Sequence, residues 1–212
     1  MLAVAFASLS LPPLFLLPAI FALSIPLLAY LKAESRMQAS MVFGMAGTGW
    51  FLASTYWVSH SLIVETPSLW FLAPFMALTL SLILGLFWAS AAMVSWSFGR
   101  RPVARLFWFV AFFSLGEWAR GFVATGFPWN LTGSLFAVDL ASLQVARVIG
   151  AYGLCVIALF FAVVPVFWVL GHRRFAAILL ILPLARAAFG AVGLTNSSDG
   201  CSVSSGSMLG LV

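Results

Sequence analysis

Residues Leu69 to Phe98 read LWFLAPFMALTLSLILGLFWASAAMVSWSF, and the nearest charged side chains on either side are Glu65 and Arg100. An α-helix rises 1.5 Å per residue, so about 20 residues cross a hydrocarbon layer of about 30 Å. The run exceeds that length, which predicts one helix that crosses a membrane with room to tilt. Two further uncharged intervals, Arg36 to Glu65 and Arg147 to Arg173, are long enough to do the same. Over all 212 residues 64% are hydrophobic and only 7% charged, with a mean hydropathy of +1.14. Soluble domains carry about 25% charged residues. A water-soluble core could not hide so much apolar surface, and the expected fold is all-α: a polytopic transmembrane bundle of about seven helices. In lipid each helix satisfies its own backbone polar groups.

Working outward from that run, the chain divides at its charges and prolines. Met1 to Leu11 is a short apolar run stopped by Pro12-Pro13, since proline removes a donor and disfavours helix in the residue before it. It has neither the basic start nor the small-residue cleavage pattern of a secretory signal, and reads as a short or truncated first helix. Spans are expected over 14–31, 39–61, 69–98, 106–125, 144–170 and 175–192, with a flexible, low-complexity tail from 194 to 212. The expected division is therefore a transmembrane domain over 1–193 and a disordered tail over 194–212. Within 39–61, Ser40, Gly44 and Thr48 recur every four residues, placing small residues on one helical face where another backbone can approach.

The net charge is +5 and the pI near 10.0, but the bases lie between apolar runs and not in one soluble patch, so topology explains them and no nucleic-acid partner is expected. If every span crosses, Lys32, Arg36, Arg100, Arg101, Arg105, Arg173 and Arg174 fall on one side, which is cytoplasmic by the positive-inside rule. Glu65, Asp139 and the segment from Gly126 to Leu135 fall on the other side, with Arg147 as the exception. Cys155 and Cys201 form no CxxC or metal-ligand spacing, and no cofactor or metal is expected.

The densest polar information lies in Glu117-Trp118-Ala119-Arg120-Gly121-Phe122-Val123-Ala124-Thr125-Gly126-Phe127-Pro128-Trp129-Asn130. Glu117 and Arg120 stand three apart, so each lowers the cost of the other at membrane depth. Spacing alone suits either a pair that fixes helix packing or one that meets a substrate. Gly126-Phe127-Pro128-Trp129 suits a tight re-entrant turn with aromatic anchors at the interface, or one that touches lipid headgroups. His60, Tyr56 and Trp57 read as interfacial residues, and Asn130-Leu131-Thr132 matches a glycosylation acceptor, a tripeptide common by chance.

The order Glu-Trp-x-Arg-Gly followed by Thr-Gly-Phe-Pro-Trp resembles the membrane domain of bacterial apolipoprotein N-acyltransferases. The resemblance extends to Leu11-Pro12-Pro13, to Gly49-Trp50-Phe51 through Tyr56-Trp57-Val58, and to Gly150-Ala151-Tyr152-Gly153, covering about residues 1 to 192. It implies a multi-pass protein of the bacterial inner membrane, in a family that moves an acyl chain from phospholipid to the N-terminal diacylglyceryl-cysteine of lipoproteins. Its expected partners are membrane phospholipid and a lipoprotein N-terminus. Carried over onto matching positions, the lipid-binding candidates are Glu117, Arg120, Gly126, Phe127, Pro128 and Trp129. Arg120 is the expected cation for a headgroup unless Glu117 neutralises it, and Arg147 is the alternative.

The family's chemistry is implied to lie in a nitrilase-like domain after the seventh helix, where Glu, Lys and Cys act as base, oxyanion stabiliser and nucleophile. Only twenty residues follow Val192, against the order of magnitude more that such a domain needs. The expectation is that this part is missing, that no catalytic residue can be assigned, and that the family reading frame is lost near Asp199, leaving Cys201 to Val212 unrelated. The chain alone is then expected to bind lipid without transferring it. A rival expectation is a small transporter or channel-like subunit with Glu117, Arg120 and Arg186 along a polar path. A third is a structural module that oligomerises through the Ser40, Gly44 and Thr48 face.

Overall fold

The computed structural model describes residues 1–123, 126–138 and 140–181, together with Ala185 and Ala188. The expected tail, the end of the seventh span with Arg186, and Cys201 lie outside the described residues, as do Thr125 and Asp139. Residues 173–181 of the seventh span are helical. The bounded helices among the described residues are α1 (Leu2–Ala7), α2 (Ser24–Leu31), α3 (Arg36–Thr55), α4 (Ser59–Glu65), α5 (Ala73–Phe98), α6 (Pro102–Arg120) and α7 (Leu140–Val169). Short 3₁₀ turns join several of them, and no strand occurs among the described residues.

The helix boundaries have local causes. Ser35 opens α3 by accepting the Gln38 amide at 3.2 Å while the Gln38 side chain accepts the Glu34 amide at 2.8 Å. This is the reciprocal logic of a capping box, with the return bond one residue early. The span expected over 39–61 runs on through a 3₁₀ turn at Tyr56–Val58 into α4 and reaches Glu65. Helix α6 starts at Pro102, four residues before the expected start, because proline fits the first helical turn, where its missing amide would have no partner. Helix α7 is broken at Gly150, whose φ of 72° and ψ of 174° belong to a region essentially reserved for glycine.

Among the described residues two helical stretches are long and apolar enough to cross a bilayer, Pro67–Phe98 and Gln144–Val169, with mean hydropathies of 2.1 and 2.4. On α5 the inward face is built from Ala77, Ser81, Gly85, Trp88 and Ala92, while Phe75, Leu82, Ile83 and Leu86 are exposed. A helix whose outward face carries large apolar side chains departs from the polar outer face of a helix on a water-soluble domain.

The small face of α3 packs against α5. A Cβ built on Gly47 would stand 3.0 Å from the Gly85 Cα, and one built on Gly85 would stand 2.8 Å from Thr48 Oγ1 and 3.0 Å from the Gly44 carbonyl. Gly44 in turn faces Ala89. Thr48 thus meets Gly85 while the earlier Gly44 meets the later Ala89, so the two helices run antiparallel. Arg36 and Arg100 consequently share one end of the bundle. Around this crossing Tyr30, Phe43, Trp50, Phe51, Trp88, Phe109 and Phe113 form a buried aromatic core. Phe43 and Phe109 stand 4.5 Å apart between ring centres, and Trp88 and Phe113 4.7 Å. Near the basic end, the Tyr30 hydroxyl pairs with Ser95 at 2.8 Å and the Trp96 indole donates to the Ala33 carbonyl at 3.2 Å.

Candidate functional site

The opposite end of the bundle is organised by the last turn of α6. Helix was expected to Thr125 but stops at Arg120, because the Arg120 carbonyl accepts the Phe127 amide at 2.8 Å and the chain folds back. Gly126 makes that reversal with φ of 74° while its amide donates to the Val123 carbonyl at 3.0 Å. A side chain there would also run into the Gly121 carbonyl, so glycine is required twice over.

Arg120 then holds the returning strand of the turn. Its Nη1 donates to the carbonyl of Phe127 at 2.9 Å and to that of Trp129 at 2.8 Å. Its guanidinium carbon lies 4.9 Å from the centre of the Phe51 ring, a cation–π contact from α3. Glu117, one turn earlier, reaches the far end of the same loop. Its carboxylate accepts the Thr132 amide at 3.2 and 3.3 Å and the Thr132 hydroxyl at 2.7 Å. The two charges are 3.7 Å apart, so they neutralise one another while each spends its hydrogen bonds on the loop. Both are 1% exposed. Such a pair is costly in a low-dielectric interior, and here it is only partly satisfied, since Arg120 Nε and Nη2 have no hydrogen-bond partner among the described residues.

Two more contacts fix the turn to its neighbours. Asn130, at φ of 54°, donates from its side-chain amide to the Ser54 carbonyl of α3 at 2.7 Å, and its own carbonyl accepts the Trp50 indole at 3.4 Å. Gly133 lies against α7, where an added Cβ would stand 2.7 Å from the Cys155 amide. Because the turn docks on Ser54, it sits at the end of α3 remote from Arg36.

Of the residues singled out in the sequence, Glu117 and Arg120 are buried, Gly126 and Phe127 half-buried, and Pro128 and Trp129 exposed. Trp129 meets Trp57 edge to face at 6.3 Å. Phe127 points the other way and closes a furrow along α4 and α5, with Val58, Leu62, Phe75, Met76 and Ile83 among its lining, of about 650 Å³. That volume lies in the range of small-molecule sites, about 300–1,000 Å³. Arg147 is exposed on α7, and His60 packs edge to face on Tyr56. Sequence reasoning missed Ser54, read Asn130 and Thr132 as a glycosylation signal, and read Trp50 and Phe51 as part of the resemblance, without their contacts to the turn.

The arrangement can hold a turn and present an apolar surface. Cys155 is fully buried and its thiol donates to the Ala151 carbonyl at 3.3 Å. Among the described residues no three His, Cys, Asp or Glu side chains stand close enough to hold a metal ion.

Residues 3–164 match the family model for the apolipoprotein N-acyltransferase N-terminal domain. The chain is similar to the apolipoprotein N-acyltransferase of Caulobacter vibrioides, 34% identical over 174 residues that cover 81% of this chain and 33% of the relative. It is 32% identical to that of Brucella melitensis, over 91% of this chain and 38% of the relative. With that of Rhizobium etli the identity is 35%, over 90% of this chain and 38% of the relative. The chain thus spans about a third of the length of the curated relatives it matches.

Proposed function

Because the chain belongs to the apolipoprotein N-acyltransferase family, and matches that family's N-terminal domain, we propose that residues 1–193 are a membrane-embedded, lipid-handling domain. It takes up the acyl chains of the two substrates this family joins, a phospholipid and the diacylglyceryl-cysteine of a lipoprotein. Acyl transfer itself belongs to the nitrilase-like chemistry of such enzymes.

Several features support a multi-pass arrangement in the inner membrane of a bacterium. The outward faces of α5 carry large apolar side chains, and Lys32, Arg36, Arg100 and Arg101 are exposed at one end. Bases at one end orient that end to the cytoplasm. The turn at 126–130 then lies toward the outer leaflet, framed by exposed Trp57 and Trp129, where such rings favour the interface.

One observation carries the lipid reading: the apolar furrow between α4 and α5 ends on Phe127, in the same turn that Arg120 clamps and Trp129 borders. A furrow open sideways lets an acyl chain enter from the bilayer without leaving hydrocarbon. Phe127 lines it, and Glu117, Arg120, Gly126, Pro128 and Trp129 build the turn at its rim.

The test is acyl-chain photolabelling. The chain is placed in nanodiscs of phosphatidylethanolamine and phosphatidylglycerol containing a phospholipid with a diazirine near its acyl terminus. The expected result is labelling concentrated on Phe75, Met76, Ile83 and Phe127, reduced by a tryptophan at Thr79 that fills the furrow. Labelling spread evenly over the exposed faces of α5 and α7, unchanged by Thr79→Trp, would reject the reading.

A further inference from the structure

Glu117 and Arg120 are the charges that a membrane-facing site would be expected to offer a headgroup, yet their geometry directs them elsewhere. Arg120 is 1% exposed, roofed by the Phe51 ring, and its Nη1 is already shared by two backbone carbonyls. A phosphate could reach that nitrogen only by displacing the carbonyls of Phe127 and Trp129, and the other two guanidinium nitrogens, Nε and Nη2, carry no hydrogen bond among the described residues but are buried as well. Glu117 is committed to the amide and hydroxyl of Thr132.

The two residues lie one helical turn apart on α6, and between them they grip residues 127, 129 and 132. Asn130 supplies a third attachment, on a different helix, through Ser54 and Trp50. A turn with no secondary structure of its own is thereby suspended from α6 and α3. The side chains it presents outward are the Phe127 ring, which packs on the core and reaches the furrow, and the Pro128 and Trp129 rings, which are exposed.

We propose that Glu117, Arg120 and Asn130 are positioning residues that set the 126–132 turn and touch no lipid, while Phe127 and Trp129 make the contact. The assignment rests on the lipid-handling reading above and divides its rim into two kinds of residue. Asn130 enters the site, and the headgroup role is withdrawn from Arg120. The αL backbone of Asn130 fits the same purpose: it turns the chain so that successive side chains face the furrow, the interface and α3.

Hydrogen exchange and photolabelling separate the two roles in the same detergent-purified or nanodisc-embedded chain. Exchange reports how often the turn's amides open, independently of any lipid. Arg120→Gln and Asn130→Ala are expected to speed exchange across 126–132 by about tenfold, the effect of losing one strong hydrogen bond, and to lower acyl labelling with it. Phe127→Ala is expected to cut labelling by a similar factor while leaving exchange at the wild-type rate. Where Arg120→Gln fails to yield a monodisperse protein, Thr132→Val serves instead, since it removes only the hydroxyl on Glu117. Arg120→Gln that loses labelling with exchange unchanged would overturn the proposal, because Arg120 would then contact the lipid. If the wild type takes no label at all, the lipid reading fails, and the exchange rates still decide whether the three residues hold the turn.

Discussion

The crossing of α3 with α5 and the docking of the 126–132 turn solve one problem by opposite means. Between apolar helices in an apolar solvent the hydrophobic effect gives little net attraction, so association depends on close packing and on hydrogen bonds. At the crossing, Gly47 and Gly85 let backbones approach until a single added carbon would stand 3.0 Å or less from its neighbour, and one on Gly44 would stand 3.3 Å from Ala89. Thr48, a polar side chain there, donates within its own helix to Gly44 at 2.9 Å. At the turn almost every contact is polar and reaches across elements: Arg120 to residues 127 and 129, Glu117 to Thr132, Asn130 to Ser54. The first interface is uniform and close-packed; the second holds an irregular segment that presents Phe127 to the furrow and Trp129 to the surface. A close-packed crossing suits a frame, and a suspended turn suits a place where something binds.

The contrast is broken most severely by removing one charge from the buried pair. Glu117→Leu leaves Arg120 buried without its counter-ion, and such a loss costs about 3–5 kcal/mol. The expected outcome is a large fall in the detergent melting temperature, followed by tryptophan fluorescence. The simultaneous change Glu117→Leu with Arg120→Met should recover much of the stability, because apolar side chains replace the pair, yet it should not restore the slow exchange of the turn. Full recovery of both would mean that the pair serves packing alone.

At the crossing the sensitive quantity is volume. Gly85→Val is expected to destabilise by about 1–3 kcal/mol through overpacking. Thr48→Ala should return only part of the loss, since the Gly44 carbonyl stands 3.0 Å from the new Cβ and is backbone. Melting curves of the single and double variants check this, and complete rescue would show that α3 and α5 can slide apart. The turn has a matching backbone test in Gly126→Ala, where an L-residue in the left-handed region costs about 1–2 kcal/mol. The alanine methyl also meets the Gly121 carbonyl. Its effect should appear as faster exchange in 126–132 with α3 and α5 unchanged.

These two interfaces differ in how far the sequence announces them. The spacing of Ser40, Gly44 and Thr48 marks a close-approach face because four-residue periodicity is local, though it does not say whether the partner is α5 or another chain. Uncharged runs likewise announce the long helices: the stretch expected over 69–98 becomes a 3₁₀ turn at Pro67–Leu72 followed by α5. Helix ends were less legible where tertiary bonds decide them. Arg120 ends α6 because its carbonyl meets Phe127, and a helical pattern continuing to Thr125 carries no trace of that. The pair of Glu117 and Arg120 was visible from spacing, but its partners were not. Thr132 lies fifteen positions from Glu117, and Ser54 lies seventy-six from Asn130. The glycine in Thr125-Gly126-Phe127-Pro128-Trp129 signalled a turn; nothing nearby signalled where it docks.

The smallest effect on stability and the sharpest on function should come from the same residue. Trp129 is 59% exposed and its one ring contact is with Trp57, itself 49% exposed. An exposed aromatic pair is worth about 0.5 kcal/mol, so Trp129→Ala should leave the melting temperature almost unmoved. Arg120 binds the backbone carbonyl at position 129, not the ring, so the turn should also keep its slow exchange. What the variant removes is an exposed apolar plate with a polar edge, on the same turn as Phe127. Acyl photolabelling should therefore fall while every structural readout stays in place. Trp57→Ala is the control: it strips the partner from the pair but leaves Trp129 on its clamped backbone, and should lower labelling less. Equal losses in the two variants would make the pair, and not the clamped turn, the unit that meets lipid.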